Sequence, residues 1–148
     1  MDRTNCKVWG PGHKLRNNRD VRVLVADDDE NGGGALAAYL SLEDMEARAV
    51  KSCDEALMVC AAWQPDVTVL DIMMPVYDGF HTARELRKRF DRDLAIVAYT
   101  ATDSVFVRAN PAGALFDAYC QKGTAPAHLV KFLYRLLKKE DGARHGGP

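Results

Sequence analysis

Asp27, Asp28, Asp71, Thr100 and Lys122 have types and spacing that could do chemistry together. Asp71 directly follows Val67-Thr68-Val69-Leu70, a short run rich in β-branched residues that reads as a buried strand. A carboxylate in that position can act as a nucleophile, hold a metal or cap a helix. Ile72-Met73-Met74-Pro75 follows it, which makes capping the weakest of the three. Asp27 and Asp28 follow a second such run, Val21–Ala26, and open the acidic stretch Asp27-Asp28-Asp29-Glu30. Crowded carboxylates raise one another's pKa unless a counter-charge neutralises them. A hard divalent cation with oxygen ligands, Mg²⁺ in the first place, resolves the conflict. A lysine adds a second counter-charge, and a threonine hydroxyl can hydrogen-bond a phosphoryl oxygen. Phosphoryl transfer needs mainly positioning and charge neutralisation, and this set supplies both, with Asp71 as nucleophile. Taken singly, Thr100 and Lys122 read as structural residues, and only their company gives them a role.

That company depends on elements that bring all five to one edge. Strands are expected over 21–26, 46–50, 67–70, 94–99 and 116–120. Helical patterns separate them over 35–42, 54–63 and 80–90, with another starting at Asp103 or Ser104 and a last one from Pro126. Ser52 with Glu55 three residues on suits a capping box. Asp78-Gly79 marks a turn, and Pro111 with Gly113 should shorten or kink the fourth helix. Gly32-Gly33-Gly34 should loosen the start of the first, at roughly 1 kcal/mol per glycine relative to alanine. Strand and helix alternate five times without a gap that needs a second domain. This order implies an α/β fold with a doubly wound, five-stranded parallel sheet and helices on both faces. Ligands of such sheets bind beyond the carboxyl ends of the strands, where all five residues project.

Bulk properties exclude several classes. Net charge is −1, which points to neither nucleic acid nor a membrane surface as partner. No apolar run approaches the ~18 residues of a membrane span, and the first thirty residues lack a signal peptide's apolar core. Residues 1–20 carry five Lys/Arg against two Asp and little apolar periodicity, so they read as a flexible basic tail. The domain proper is expected over 21–141, with 142–148 as a second tail. Cys6, Cys53, Cys60 and Cys120 form no C-x-x-C pair, and a cytoplasmic chain with reduced thiols is the simplest account. Cys120, inside a strand pattern, reads as a small buried hydrophobe.

The chain resembles the receiver domain of two-component response regulators. The matching residues are Val23-Leu24-Val25-Ala26-Asp27-Asp28-Asp29-Glu30, Asp71-Ile72-Met73-Met74-Pro75 with Asp78-Gly79, Tyr99-Thr100-Ala101, and Asp117-Ala118-Tyr119-Cys120-Gln121-Lys122. Asp28, Asp71, Thr100 and Lys122 are spaced by 43, 29 and 22 residues. The resemblance implies a flavodoxin-like (βα)₅ fold, with Asp71 phosphorylated by a sensor histidine kinase or a histidine phosphotransfer protein. It implies that Asp27, Asp28, Asp71 and the Met73 backbone carbonyl hold Mg²⁺, and that Lys122 contacts Asp71 and then the phosphoryl group. Thr100 would be the switch hydroxyl, and Tyr119 the aromatic that swings inward when Thr100 moves. Such a switch works if its two arrangements differ by only a few kcal/mol. Where the family usually has proline after the lysine, this chain has Gly123.

Three functions compete. The first is a stand-alone, phosphorylation-dependent receiver whose output passes through protein contacts. Only eight residues follow Glu140, too few for a DNA-binding or enzymatic output domain. The second is a receiver-like interaction module that works without phosphorylation. The third, a hydrolase with an aspartate nucleophile, is disfavoured because Met73 stands where a general-acid aspartate would be needed.

Overall fold

A computed structural model describes residues 5–15 and 19–139. Its elements are β1 (Cys6–Val8), β2 (His13–Leu15), β3 (Val21–Ala26), α1 (Glu30–Ser41), β4 (Met45–Val50), α2 (Cys53–Trp63), β5 (Val67–Leu70), α3 (Gly79–Phe90), β6 (Ala95–Thr100), α4 (Ser104–Ala109), β7 (Ala118–Gln121), α5 (Pro126–Leu136) and β8 (Leu137–Lys139). Short 3₁₀ turns cover Asp91–Asp93 and Pro111–Leu115. The main sheet runs β1-β7-β6-β5-β3-β4. Its five strands from β3 onward are parallel and joined through helices, as their alternation requires.

Period-two alternation assigns the two faces of the sheet. Val23, Val25, Val67, Val69, Ala95 and Val97 pack in one core with α1 and α5. Leu24, Ala26, Leu70, Ile96 and Ala98 pack in the other with α2 and α3. Because β5 and β6 are covered on both faces, they are apolar almost throughout. Ser52 caps α2 by accepting from the Glu55 N–H at 3.2 Å, while Glu55 reaches back one residue beyond the cap, to the Lys51 N–H at 2.8 Å. Pro111 ends α4 after six residues and turns the chain into the second 3₁₀ stretch.

Three expectations need correction. Residues 1–20 are not wholly a tail: β1 adds an antiparallel sixth strand to β7, and β2 pairs in parallel with β8. Cys6 and Cys120 stand opposite each other in the β1–β7 register and form a disulfide, so two of the four thiols are not free. Helix α1 begins at Glu30 and takes in all three glycines, where a loose lead-in was expected. Gly33 is buried there against Asp27, with little more room than a methyl group would fill. Residues 1–4, 16–18 and 140–148, including the whole of the expected second tail, lie outside the described residues.

A buried ion pair ties the far half of the sheet to α3. The Asp117 carboxylate accepts the Ile96 N–H at 2.8 Å and pairs with the Arg87 guanidinium, both side chains being nearly buried. Arg87 also donates to the carbonyls of Leu94, Asp91 and Leu115. Removing one member leaves the other charged and buried, which costs about 3–5 kcal/mol. Asp117→Ala is therefore expected to lower unfolding stability by roughly 3 kcal/mol or more. Urea denaturation checks this, and a loss below about 1 kcal/mol would show that the pair holds little.

Candidate active site

The carboxyl ends of β3 and β5 are locked side by side. The Asp71 N–H donates to the Ala26 carbonyl at 2.9 Å, and the Asp27 N–H donates to the Val50 carbonyl at 3.0 Å. Both aspartates therefore leave the sheet at one level. Carboxylate oxygens of Asp27, Asp28 and Asp71 all lie within 4.8 Å of one another. Asp27 and Asp71 are buried and Asp28 is exposed, so the cluster opens to solvent on one side.

Lys122 comes from beyond β7. Its backbone N–H donates to the Thr100 carbonyl at 2.8 Å, which fixes the strand end from which the side chain departs. Its Nζ lies 2.8 Å from Asp27 Oδ2 and 2.9 Å from Asp71 Oδ2. The remaining oxygens of the two acids accept backbone donors: Asp27 Oδ1 from Asp29 N–H at 2.9 Å, Asp71 Oδ1 from Met73 N–H at 3.0 Å. Gly123 follows in the left-handed region with φ of 97°, a conformation that proline cannot adopt, and the peptide between them is trans.

The electrostatics follow from one ammonium shared by two buried acids. Burial pushes the Asp71 carboxyl up, and the hydrogen bonds from Lys122 and the Met73 N–H only partly oppose it. Burial disfavours charge on Lys122 too, but hydrogen bonds to Asp27 and Asp71 overcome it and raise its pKa above the ordinary lysine value. Three carboxylates and one ammonium leave two negative charges uncompensated, which a divalent cation would match. The donors are all oxygen and span the distances of a small coordination sphere, so the residues fit a hard cation.

Thr100 is fully buried opposite Gln121 in the β6–β7 register, and its Oγ1 accepts the Thr102 N–H at 3.2 Å. Tyr119 is buried, with its hydroxyl donating to the Thr102 carbonyl at 2.6 Å. The structure thus brings Asp27, Asp28, Asp71 and Lys122 into one cluster and links Thr100 and Tyr119 through Thr102. Met73 contributes its N–H to Asp71, while its side chain is exposed.

Reading the sequence missed Thr102 as the link, the backbone of Val76, and the contact that Gly79 makes with Asp71. Gly79 lies so close that a Cβ there would come within 2.5 Å of the Asp71 carbonyl oxygen. Val76 sits at φ 67°, a left-handed conformation that is an outlier for a β-branched residue. The unusual approach of the Asp78-Gly79 turn was visible as a turn signal, but not its contact with Asp71.

A doubly wound sheet whose strand ends gather an acid cluster, a lysine and a buried threonine defines a phosphoryl-handling signalling domain. Residues 23–134 match the response regulator receiver domain family, and the chain belongs to it. Response regulator MprA of Mycolicibacterium vanbaalenii is 38% identical over 126 residues, covering 83% of this chain and 54% of that protein. MprA of Mycobacterium tuberculosis is 39% identical over the same length and shares. The chain spans about half the length of these curated relatives. Among solved structures, Thermotoga maritima TrrA in complex with Mg²⁺ and BeF matches with a TM-score of 0.71 and 30% identity, over 79% of this chain and 99% of TrrA. The BeF₃-activated receiver domain of Klebsiella pneumoniae RstA matches with a TM-score of 0.69 and 32% identity, over 78% and 97%. The fold class is thereby that of receiver domains, with one strand more than the expected five in the main sheet and a second, two-stranded sheet of β2 and β8.

Val76 is 92% exposed, so little packing offsets its backbone strain. A non-glycine residue in the left-handed region costs about 1–2 kcal/mol. Val76→Gly is expected to raise stability by about 1 kcal/mol once the added freedom of the unfolded chain is deducted. Thermal unfolding measures it, and an unchanged or lower midpoint would contradict the strain.

Proposed function

We propose that Asp71 accepts a phosphoryl group from a sensor histidine kinase or a histidine phosphotransfer protein, and that Asp27, Asp28 and Asp71, with the Met73 carbonyl, hold Mg²⁺ while it does so. The observation that carries this reading is Lys122 bridging Asp27 and Asp71 beside the exposed Asp28. A carboxylate oxygen of Asp71 would attack phosphorus while the phosphorus–nitrogen bond of the donor histidine breaks, leaving an acyl phosphate and a free imidazole. Lys122 can exchange its bond to Asp71 Oδ2 for one to a phosphoryl oxygen without leaving the cluster. Bound Mg²⁺ would supply charge neutralisation for the incoming phosphoryl oxygens.

The bland side of the site matters as well. Met73 offers no proton where a hydrolase would place a general acid. The chain would therefore promote only its own phosphorylation and dephosphorylation. Thr100 Oγ1, now bonded to the Thr102 N–H, would turn toward the phosphoryl group, and Tyr119 would lose the Thr102 carbonyl as its acceptor. That is a route from chemistry to a protein-binding surface, and output is assigned to protein contacts. Membership of the receiver family supports a cytoplasmic setting, and no helix among the described residues is long and apolar enough to cross a membrane.

Acetyl phosphate with Mg²⁺ is expected to add one phosphoryl group to the wild-type chain and none to Asp71→Ala, read by intact mass. Labelling that persists in Asp71→Ala would move the acceptor elsewhere. Asp28→Asn removes a ligand from the open side of the cluster and is expected to weaken Mg²⁺ binding about tenfold or more, with the fold intact. Titration calorimetry gives the comparison, and equal affinities would remove Asp28 from the metal site.

A further inference from the structure

Strand β1 does more than widen the sheet. Its three residues pair with β7 as Cys6 with Cys120, Lys7 with Tyr119 and Val8 with Ala118. The Asn5 carbonyl accepts the Gln121 N–H at 2.9 Å, and the Trp9 N–H donates to the Asp117 carbonyl at 2.8 Å. The Trp9 ring stacks on Tyr119, with centroids 5.5 Å apart and planes 20° from parallel. The Arg108 guanidinium lies 4.8 Å from the centre of the Trp9 ring, and Lys7 Nζ donates to Ser104 Oγ at 3.3 Å. The segment therefore lies against both Tyr119 and α4. Tyr119 is in turn bonded through Thr102 to Thr100, so the arm rests on the last member of that chain of contacts.

Three paired residues make a marginal strand on their own. The Cys6–Cys120 disulfide is the covalent tie that holds them, joining residues 114 apart. Its two cysteines are both buried, Cys6 at 8% exposure and Cys120 at 0%. Cys120 is fully buried, whereas Cys6 lines a cavity of about 180 Å³ together with Thr124, His128, Lys131, Phe132 and Arg135. Among the described residues of that lining, Lys131 and Arg135 carry formal charge, and both are cationic. Such a wall attracts an anionic thiol and favours its thiolate, the attacking species. In a reducing compartment a protein disulfide is usually transient and regulatory, which suits the cytoplasmic setting proposed above.

We propose that Cys6–Cys120 is a thiol-exchange site for an anionic small thiol entering through this cavity, and that opening it releases the arm from Tyr119. The thiolate attacks Cys6 Sγ, the S–S bond breaks, and Cys120 leaves as a thiolate that takes up a proton. Cys6 then carries the small thiol as a mixed disulfide. A second molecule of the thiol displaces Cys6 as a free thiol and departs as the oxidised small disulfide, having supplied with the first the two electrons of the reduction. Only the coupling of the arm to signalling rests on the receiver reading; the exchange chemistry does not.

The test uses the full chain, oxidised in air. Alkylation after unfolding without reductant is expected to find two thiols, Cys53 and Cys60; four would overturn the proposal. Reduced glutathione, an anionic thiol, is expected to open the disulfide about tenfold faster than cysteamine, a cationic one, at equal thiolate concentration. The double variant Lys131→Glu, Arg135→Glu should erase that preference, and equal rates in the wild type would overturn the assignment of the ligand. Amide exchange at residues 6–8 is expected to rise at least about tenfold on opening, and to be high in Cys6→Ser under all conditions. Unchanged exchange in the reduced wild type would overturn the release of the arm. Acetyl phosphate labelling of the same samples keeps the two readings apart. Failure to label would sink the phosphoacceptor alone, while labelling with a silent arm would sink the latch alone.

Discussion

One ammonium between two buried carboxylates is the contact on which the site depends. Lys122 stands within 3 Å of both Asp27 and Asp71 and supplies the positive charge beside two buried carboxylates. The bridge joins the ends of three strands that are distant in sequence. It works because backbone bonds fix each strand end first: Asp71 to Ala26, Asp27 to Val50, Lys122 to Thr100. The parallel sheet thus sets the geometry, and the side chains inherit it. The same contact leaves the cluster short of positive charge, which is the physical reason that it should take up a cation and then a phosphoryl group.

The two edges of the sheet are treated differently. At one edge β4 is largely exposed along its length. At the other, β7 carries Tyr119 and Cys120 and is covered by β1. An edge strand with unpaired backbone groups is a liability that a short paired strand removes. Here the cover also brings Trp9 onto Tyr119, so closing the edge and restraining the aromatic are one structural act.

Most of the fold could be read because periodicity carries it. The runs before Asp27 and Asp71 are apolar for the plain reason that both faces of the sheet are covered, and their ends marked the acids. Asp27, Asp28, Asp71 and Lys122 were legible as a set because crowded acids call for counter-charge. What could not be read was what depends on long-range pairing. Cys6-Lys7-Val8 is too short to show a period, and nothing local connects Cys6 to Cys120 across the chain. Asp117 looked like a residue of the strand run, while its partner Arg87 lay on a helix with many other cations. The glycines after Glu30 were taken as loosening the chain; in the fold α1 runs through them, and Gly33 admits the Asp27 strand end at close range. The left-handed turn at Val76 contradicts local preference and gave no signal at all.

The central claim is that charge arriving at Asp71 is felt at Thr100 and Tyr119 through Lys122 and Thr102. Amide and side-chain NMR spectra of the labelled protein, recorded before and after adding beryllofluoride with Mg²⁺, test it most directly. The expected result is a new set of resonances for Asp71, Lys122, Thr100, Thr102 and Tyr119 that requires both additions. Spectra in which Thr100 and Tyr119 stay in place while Asp71 shifts would contradict the coupling, and spectra unchanged throughout would contradict the site.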